Sequence, residues 1–125
     1  ESDQTVKSIK YFEKALAFES TNFAAMNNDV CFYGHTHHPG YFTPGEPFVA
    51  VKEDGSIELE EGKQYLINVG SVGQPRDRNP ELCYAILSGK RLSWRRVSYE
   101  IKAAQKLILD AKLPEKLSLR LQIGR

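Results

Sequence analysis

Among the 125 residues of this chain, the run Gly34-His35-Thr36-His37 has the types and spacing most suited to chemistry. Neutral imidazole is a good ligand for zinc, manganese, iron and nickel near neutral pH. Side chains at i and i+2 of an extended backbone leave on the same side. An extended run here therefore directs both imidazoles into one pocket. Gly34 permits a sharp turn just ahead of them. The same spacing also suits two histidines that only pack or hydrogen bond within a loop, and spacing alone leaves both readings open. The third histidine, His38, adjoins the pair and is expected to face solvent or pack.

Such a loop needs rigid elements to hold it. Val30-Cys31-Phe32-Tyr33 is apolar on both faces and reads as a strand buried on both sides. Residues 35–47, rich in Gly, Pro and His, read as a loop. Residues 48–52 and 56–60 flank Glu53-Asp54-Gly55, and Asp-Gly between strand-like runs predicts a hairpin. Ile57 and Leu59 alternate with Ser56, Glu58 and Glu60, so that strand shows one face to water. Residues 65–69 form another apolar strand, running into the loop Gly70-Ser71-Val72-Gly73-Gln74-Pro75. Residues 82–87 are apolar on both faces and turn at Ser88-Gly89-Lys90 into residues 91–99. There the apolar parity changes between Trp94 and Val97, which predicts a bulge near Arg95-Arg96.

Helical periodicity marks both ends. Val6, Ile9, Phe12 and Leu16 predict a helix over about residues 4–20. Ile101, Ala104, Ile108 and Ala111 predict one face of a second helix. Pro114 suits the first turn of a third, lined by Leu113, Leu117 and Leu121. The order of helix, about six strands and two helices is α+β, with a mixed, mostly antiparallel sheet.

Composition narrows the function classes. The net charge of +1 argues against a nucleic-acid partner. Lys90, Arg91, Arg95 and Arg96 around Trp94 accordingly read as a solvated basic face. No apolar run reaches the roughly 20 residues that span a bilayer, so no membrane partner is expected. The start carries no signal-peptide pattern, and a cytoplasmic location is expected. Cys31 and Cys83 then read as reduced, buried thiols, and two thiols are too few for a three- or four-cysteine zinc site. Because the first residue is Glu1, the chain is expected to be cut from something longer.

Tyr33-Gly34-His35-Thr36-His37-His38-Pro39, followed by Leu66-Ile67-Asn68-Val69-Gly70-Ser71-Val72-Gly73-Gln74-Pro75-Arg76-Asp77, resembles two sequence blocks of the calcineurin-like metallophosphoesterase superfamily. The second block is similar to that of bacterial phosphoesterases related to diadenosine tetraphosphatases and serine/threonine phosphatases. The resemblance implies a four-layer αββα sandwich, of which residues 1–125 are a single C-terminal segment. It implies a parent enzyme that hydrolyses phosphomonoesters or phosphodiesters at two divalent ions (Mn, Fe, Zn or Ni) by attack of a bridging hydroxide. His35 would bind one ion and His37 the other. It also places the Gly-Ser loop beside the metals, where Arg76 can contact phosphate. The competing role for Arg76 is an ion pair with Asp77 or Glu81. Asn68 and Ser71 either contact substrate or fix the loop by side-chain to backbone hydrogen bonds. Tyr41 and Phe42 either line the pocket or pack in the core.

The family's Asp-x-His, Gly-Asp and Asn-His blocks are not in this sequence. The chain is therefore expected to supply one sheet and its helices, to hold at most one weakly bound ion, and to be inactive alone. Its exposed sheet face implies a homodimer or association with the missing N-terminal half. The alternative is a non-catalytic binding or assembly module that kept the phosphoesterase fold.

Overall fold

Three short apolar runs pair side by side because each can bury one face against a second layer of strands. The computed structural model of the chain describes residues 28–125. The helix expected over residues 4–20 lies outside the described residues. The strands are β1 (Val30–Tyr33), β2 (Gly40–Phe42), β3 (Val49–Ala50), β4 (Gly55–Glu58), β5 (Tyr65–Asn68), β6 (Leu82–Ser88) and β7 (Arg91–Val97). Helices α1 (Ile101–Asp110) and α2 (Glu115–Ile123) follow. The α+β class is as expected from the sequence.

The strands form two sheets rather than the one expected. A mixed sheet has the order β1-β5-β2-β3, and an antiparallel one has β4-β7-β6. Their facing surfaces meet in a core of Leu59, Tyr65, Ile67, Cys83, Leu92 and Trp94. Trp94 and Leu92 are completely buried, and Tyr41 stacks on Trp94 with ring centroids 6.0 Å apart. Phe42 packs on Phe48 at 4.6 Å. Both aromatic residues after the histidine loop are thus engaged in packing.

Several local expectations are corrected. Residues 35–47 are not all loop, because β2 lies within them and pairs with β5. The Asp-Gly step is not a hairpin turn. β3 pairs with β2 while β4 pairs with β7, so residues 51–54 carry the chain from one sheet to the other. Two contacts hold that crossing: the Val51 amide donates to the Pro39 carbonyl at 3.0 Å, and the Asp54 carboxylate accepts the Arg96 amide at 2.7 Å. The alternation expected around Ile57 and Leu59 is present. β1 is not buried on both sides, since Phe32 is exposed, and β6 presents Tyr84 and Ile86 outward.

No bulge interrupts β7. Its register with β6 is continuous from Leu82↔Val97 to Ser88↔Arg91. Arg96 therefore keeps the inward parity of Leu92 and Trp94. Its guanidinium is buried in an ion pair with Asp77, and it also donates to the carbonyls of Val51 (3.2 Å) and Glu81 (3.4 Å). The other three basic residues of the cluster lie outside and have acidic partners: Lys90 with Glu61, Arg91 with Glu58, Arg95 with Asp54.

The two helices pack on each other, with the Gln105 side chain donating to the Ser118 carbonyl at 2.9 Å. Ile101, Ala104 and Ile108 share the covered face of α1, whereas Leu113 is half exposed and does not join Leu117 and Leu121. Gly124 closes α2 in the left-handed region (φ 59°), with its α-carbon against the Asn79 backbone. Any Cβ there would meet that backbone at 2.6 Å. The Gly124 carbonyl accepts the Arg78 amide at 2.9 Å, so the helical pair is fastened to the loop that follows β5.

The side chains of Arg96 and Asp77 are only 4% and 11% exposed, and removing one buried partner strands the other charge. Asp77→Ala should lower unfolding free energy by about 3 kcal/mol in urea titrations. The double variant Asp77→Leu/Arg96→Met should recover much of that loss. Equal, additive losses would contradict a coupled pair.

Candidate metal centre

β1 and β5 run parallel, with Tyr33 opposite Asn68. Parallel neighbours end on the same side, so the loops that leave them must lie together. One is the histidine loop, residues 34–38, and the other is the Gly-Ser loop, residues 70–75. Crevices beyond the carboxyl ends of parallel strands are the usual ligand sites of such sheets.

Asn68 joins the two loops. It is fully buried. Its side-chain amide donates to the Gly34 carbonyl at 3.2 Å and to Thr36 Oγ1 at 2.8 Å, while its Oδ1 accepts the Gly70 amide at 2.9 Å. Its backbone carbonyl accepts the Trp94 indole N–H at 3.0 Å, tying the site to the second sheet. Gly70 (φ 88°) lets the Gly-Ser loop lie against β6, where a Cβ would meet the Cys83 side chain at 2.7 Å. Burial pushes the Cys83 thiol up, so it stays a protonated packing group.

The histidine loop is not extended as expected. His35 and His37 both have left-handed backbone, φ 72° and 63°. The Thr36 amide donates to the Gly34 carbonyl at 2.9 Å, which closes a γ-turn centred on His35. Non-glycine residues in this region cost on the order of 1–3 kcal/mol each and concentrate at functional sites. His35 is exposed and His37 half-buried.

His37 Nδ1 lies 2.6 Å from the Gln74 backbone carbonyl. A carbonyl can only accept, so the bond requires hydrogen on Nδ1. The neutral ring then keeps its lone pair on Nε2, the tautomer of a histidine ready to ligate. Gln74 is held in turn by its own amide, which donates to Ser71 Oγ at 2.9 Å; the Gly73 amide donates to the same oxygen at 3.3 Å. Gln74 was not among the candidates from sequence, because the group it offers His37 is a carbonyl that every residue has.

Arg76 is exposed, and its Nη2 donates to Gln74 Oε1 at 2.9 Å. Neither expected acidic neighbour pairs with it, and Asp77 is taken by Arg96. His38 is half-buried, not solvent-facing. Desolvation holds its pKa below the usual histidine value, with the Arg76 and His37 charges adding to that and Asp77 opposing it.

These donors fit imidazole ligation of a divalent ion, in part. Among the described residues, no group of three or more His, Cys, Asp or Glu gathers into a metal-binding cluster. A complete metal site would need further ligands from other residues.

Two outcomes follow from this geometry. In 15N-edited spectra of the metal-free protein, the neutral His37 ring should carry its hydrogen on Nδ1; an Nε2–H tautomer would contradict the Gln74 contact. Asn68→Ala should cost about 2 kcal/mol or more in urea unfolding, since it leaves buried donors and acceptors unpaired. A change under about 0.5 kcal/mol, the size of an ordinary surface substitution, would contradict its role as the bracket.

Residues 7–91 match the family described as the calcineurin-like phosphoesterase superfamily domain. The chain is 43% identical over 99 residues to an uncharacterized protein of Methanocaldococcus jannaschii, MJ0912, covering 78% of this chain and 40% of that protein. The crystal structure of a metallophosphoesterase from Sphaerobacter thermophilus is similar at a TM-score of 0.81 and 35% identity, covering 86% of this chain and 46% of that one. The chain thus spans less than half the length of either relative. With the family match covering most of its residues, and with the histidine and Gly-Ser loops joined at neighbouring strand ends, the chain belongs to the calcineurin-like phosphoesterase superfamily.

Proposed function

We propose that the chain is the C-terminal part of a metal-dependent phosphoester hydrolase, with His35 and His37 offering imidazole nitrogens to divalent ions. The observation that supports this most is the 2.6 Å contact of His37 Nδ1 with the Gln74 carbonyl, which leaves Nε2 free to ligate. Imidazole suits manganese, iron, zinc and nickel alike. Divalent ions held here would supply Lewis-acid polarisation of phosphoryl oxygens and activation of water near neutral pH. The chain's own residues do the positioning. Asn68 and Ser71 fix the two loops, and Arg76 stands exposed beside them as a cation for phosphate.

The remaining metal ligands belong to residues outside 28–125, and association with an N-terminal part completes the site. The 125-residue chain by itself is inactive in this reading and holds at most one ion weakly. Two free cysteines fit a reducing, cytoplasmic compartment. The competing reading is a non-catalytic module that kept the fold.

The test uses protein extended to its relatives' length, stripped of metal and reloaded with manganese. It should hydrolyse p-nitrophenyl phosphate or its bis ester, and His37→Ala should lower kcat roughly 100-fold or more. The 125-residue chain should show no turnover above manganese alone. Undiminished activity in His37→Ala would contradict the ligand role, and an inert extended protein would favour the non-catalytic module.

A further inference from the structure

Gln74 bonds to both flanks of the site through three separate groups. Its carbonyl accepts from His37, its amide donates to Ser71 Oγ, and its side-chain Oε1 accepts from Arg76. Between Gln74 and Arg76 stands Pro75, fully buried and with φ fixed by its ring. The short span from the imidazole to the guanidinium is therefore defined at the backbone as well as at the side chains.

Among the described residues, no carboxylate pairs with Arg76. The carboxylate next to it, Asp77, is drawn inward to the buried guanidinium of Arg96. A neutral amide holds one Nη of Arg76, and its other N–H donors can pair with two terminal oxygens of a tetrahedral phosphoryl group. A phosphomonoester presents three terminal oxygens and up to two negative charges, whereas a phosphodiester presents two such oxygens and one charge. The attraction of a fixed cation scales with the charge it faces.

We propose that Gln74 is a positioning residue that fixes Arg76 beside His37, and that Arg76 in this place biases the site toward phosphomonoesters over phosphodiesters. The proposal rests on the hydrolase reading above. Arg76 contacts the substrate's terminal phosphoryl oxygens, and Gln74 acts only through Arg76.

The experiment uses the extended, manganese-loaded protein and compares p-nitrophenyl phosphate with its bis ester. Arg76→Ala should lower kcat/KM for the monoester about 30-fold and for the diester less than about 3-fold, the range of a charge-assisted bond against a weak one. Arg76→Lys should fall between wild type and Arg76→Ala. Gln74→Ala should raise KM for the monoester about 5-fold with kcat nearly unchanged, as expected for one neutral hydrogen bond. It keeps the backbone carbonyl, so His37 should retain hydrogen on Nδ1 in 15N spectra. By calorimetry, the Kd of inorganic phosphate should rise about 10-fold in Arg76→Ala.

Equal losses on both esters in Arg76→Ala would overturn the monoester bias. An unchanged monoester-to-diester ratio in Gln74→Ala would overturn the positioning role. Either result with His37→Ala still inactive leaves the hydrolase reading standing, whereas an active His37→Ala removes that reading itself.

Discussion

The site depends on one buried carboxamide. Asn68 ends the central strand of the mixed sheet, where no water can satisfy it, and each of its polar groups finds a partner in a different loop or sheet. A buried polar group left unpaired costs on the order of 1–3 kcal/mol. That asymmetry makes Asn68 a constraint as well as a contact. If the histidine loop moves, the Nδ2 hydrogens lose Gly34 and Thr36; if the Gly-Ser loop moves, Oδ1 loses Gly70. The left-handed backbone at His35 and His37 is tolerable because its neighbours Gly34 and Thr36 are held this way.

A second constraint acts from the other sheet. The inward position on β7 after Trp94 is occupied by Arg96, where its neighbours on that face are apolar. The guanidinium is accepted there because Asp77 and two carbonyls surround it, although its Nε remains without a partner among the described residues. Such a pair contributes little net stability compared with apolar packing. What it does is geometrical. It holds the loop after Pro75 against both the sheet crossing at Val51 and the start of β6, and it removes the acidic neighbour that would neutralise Arg76. Asp77 is thus held away from Arg76 by an interaction on the far side of the loop.

Much of this was legible in the amino-acid sequence, and the exceptions share a cause. The strands read over residues 30–33 and 65–69, the Gly-Ser loop and the family resemblance follow from local pattern, because a short apolar run and a glycine-rich loop carry their signal within a few residues. The Asp54-Gly55 step looked like a hairpin since both flanks read as strands, yet pairing is a long-range matter, and those flanks pair with β2 and β7 instead. The parity change after Trp94 read as a bulge because an inward arginine is rare; only Asp77, distant in sequence, explains it. The sequence pattern predicts extended backbone at His35 and His37, because a γ-turn in the histidine loop has no residue signature. Gln74 escaped notice because its carbonyl, not its side chain, holds His37.

In the proposed function His37, at the neighbouring ends of two parallel strands, ligates a divalent ion through Nε2 while its Nδ1 stays on the Gln74 carbonyl. Crystals soaked in manganese and measured by anomalous diffraction test it most directly. The account predicts an anomalous peak within ligand distance of His37 Nε2, with Nδ1 still on the Gln74 carbonyl, and no peak there in His37→Ala. Density for manganese on Nδ1, or bound away from the histidine loop altogether, would contradict it.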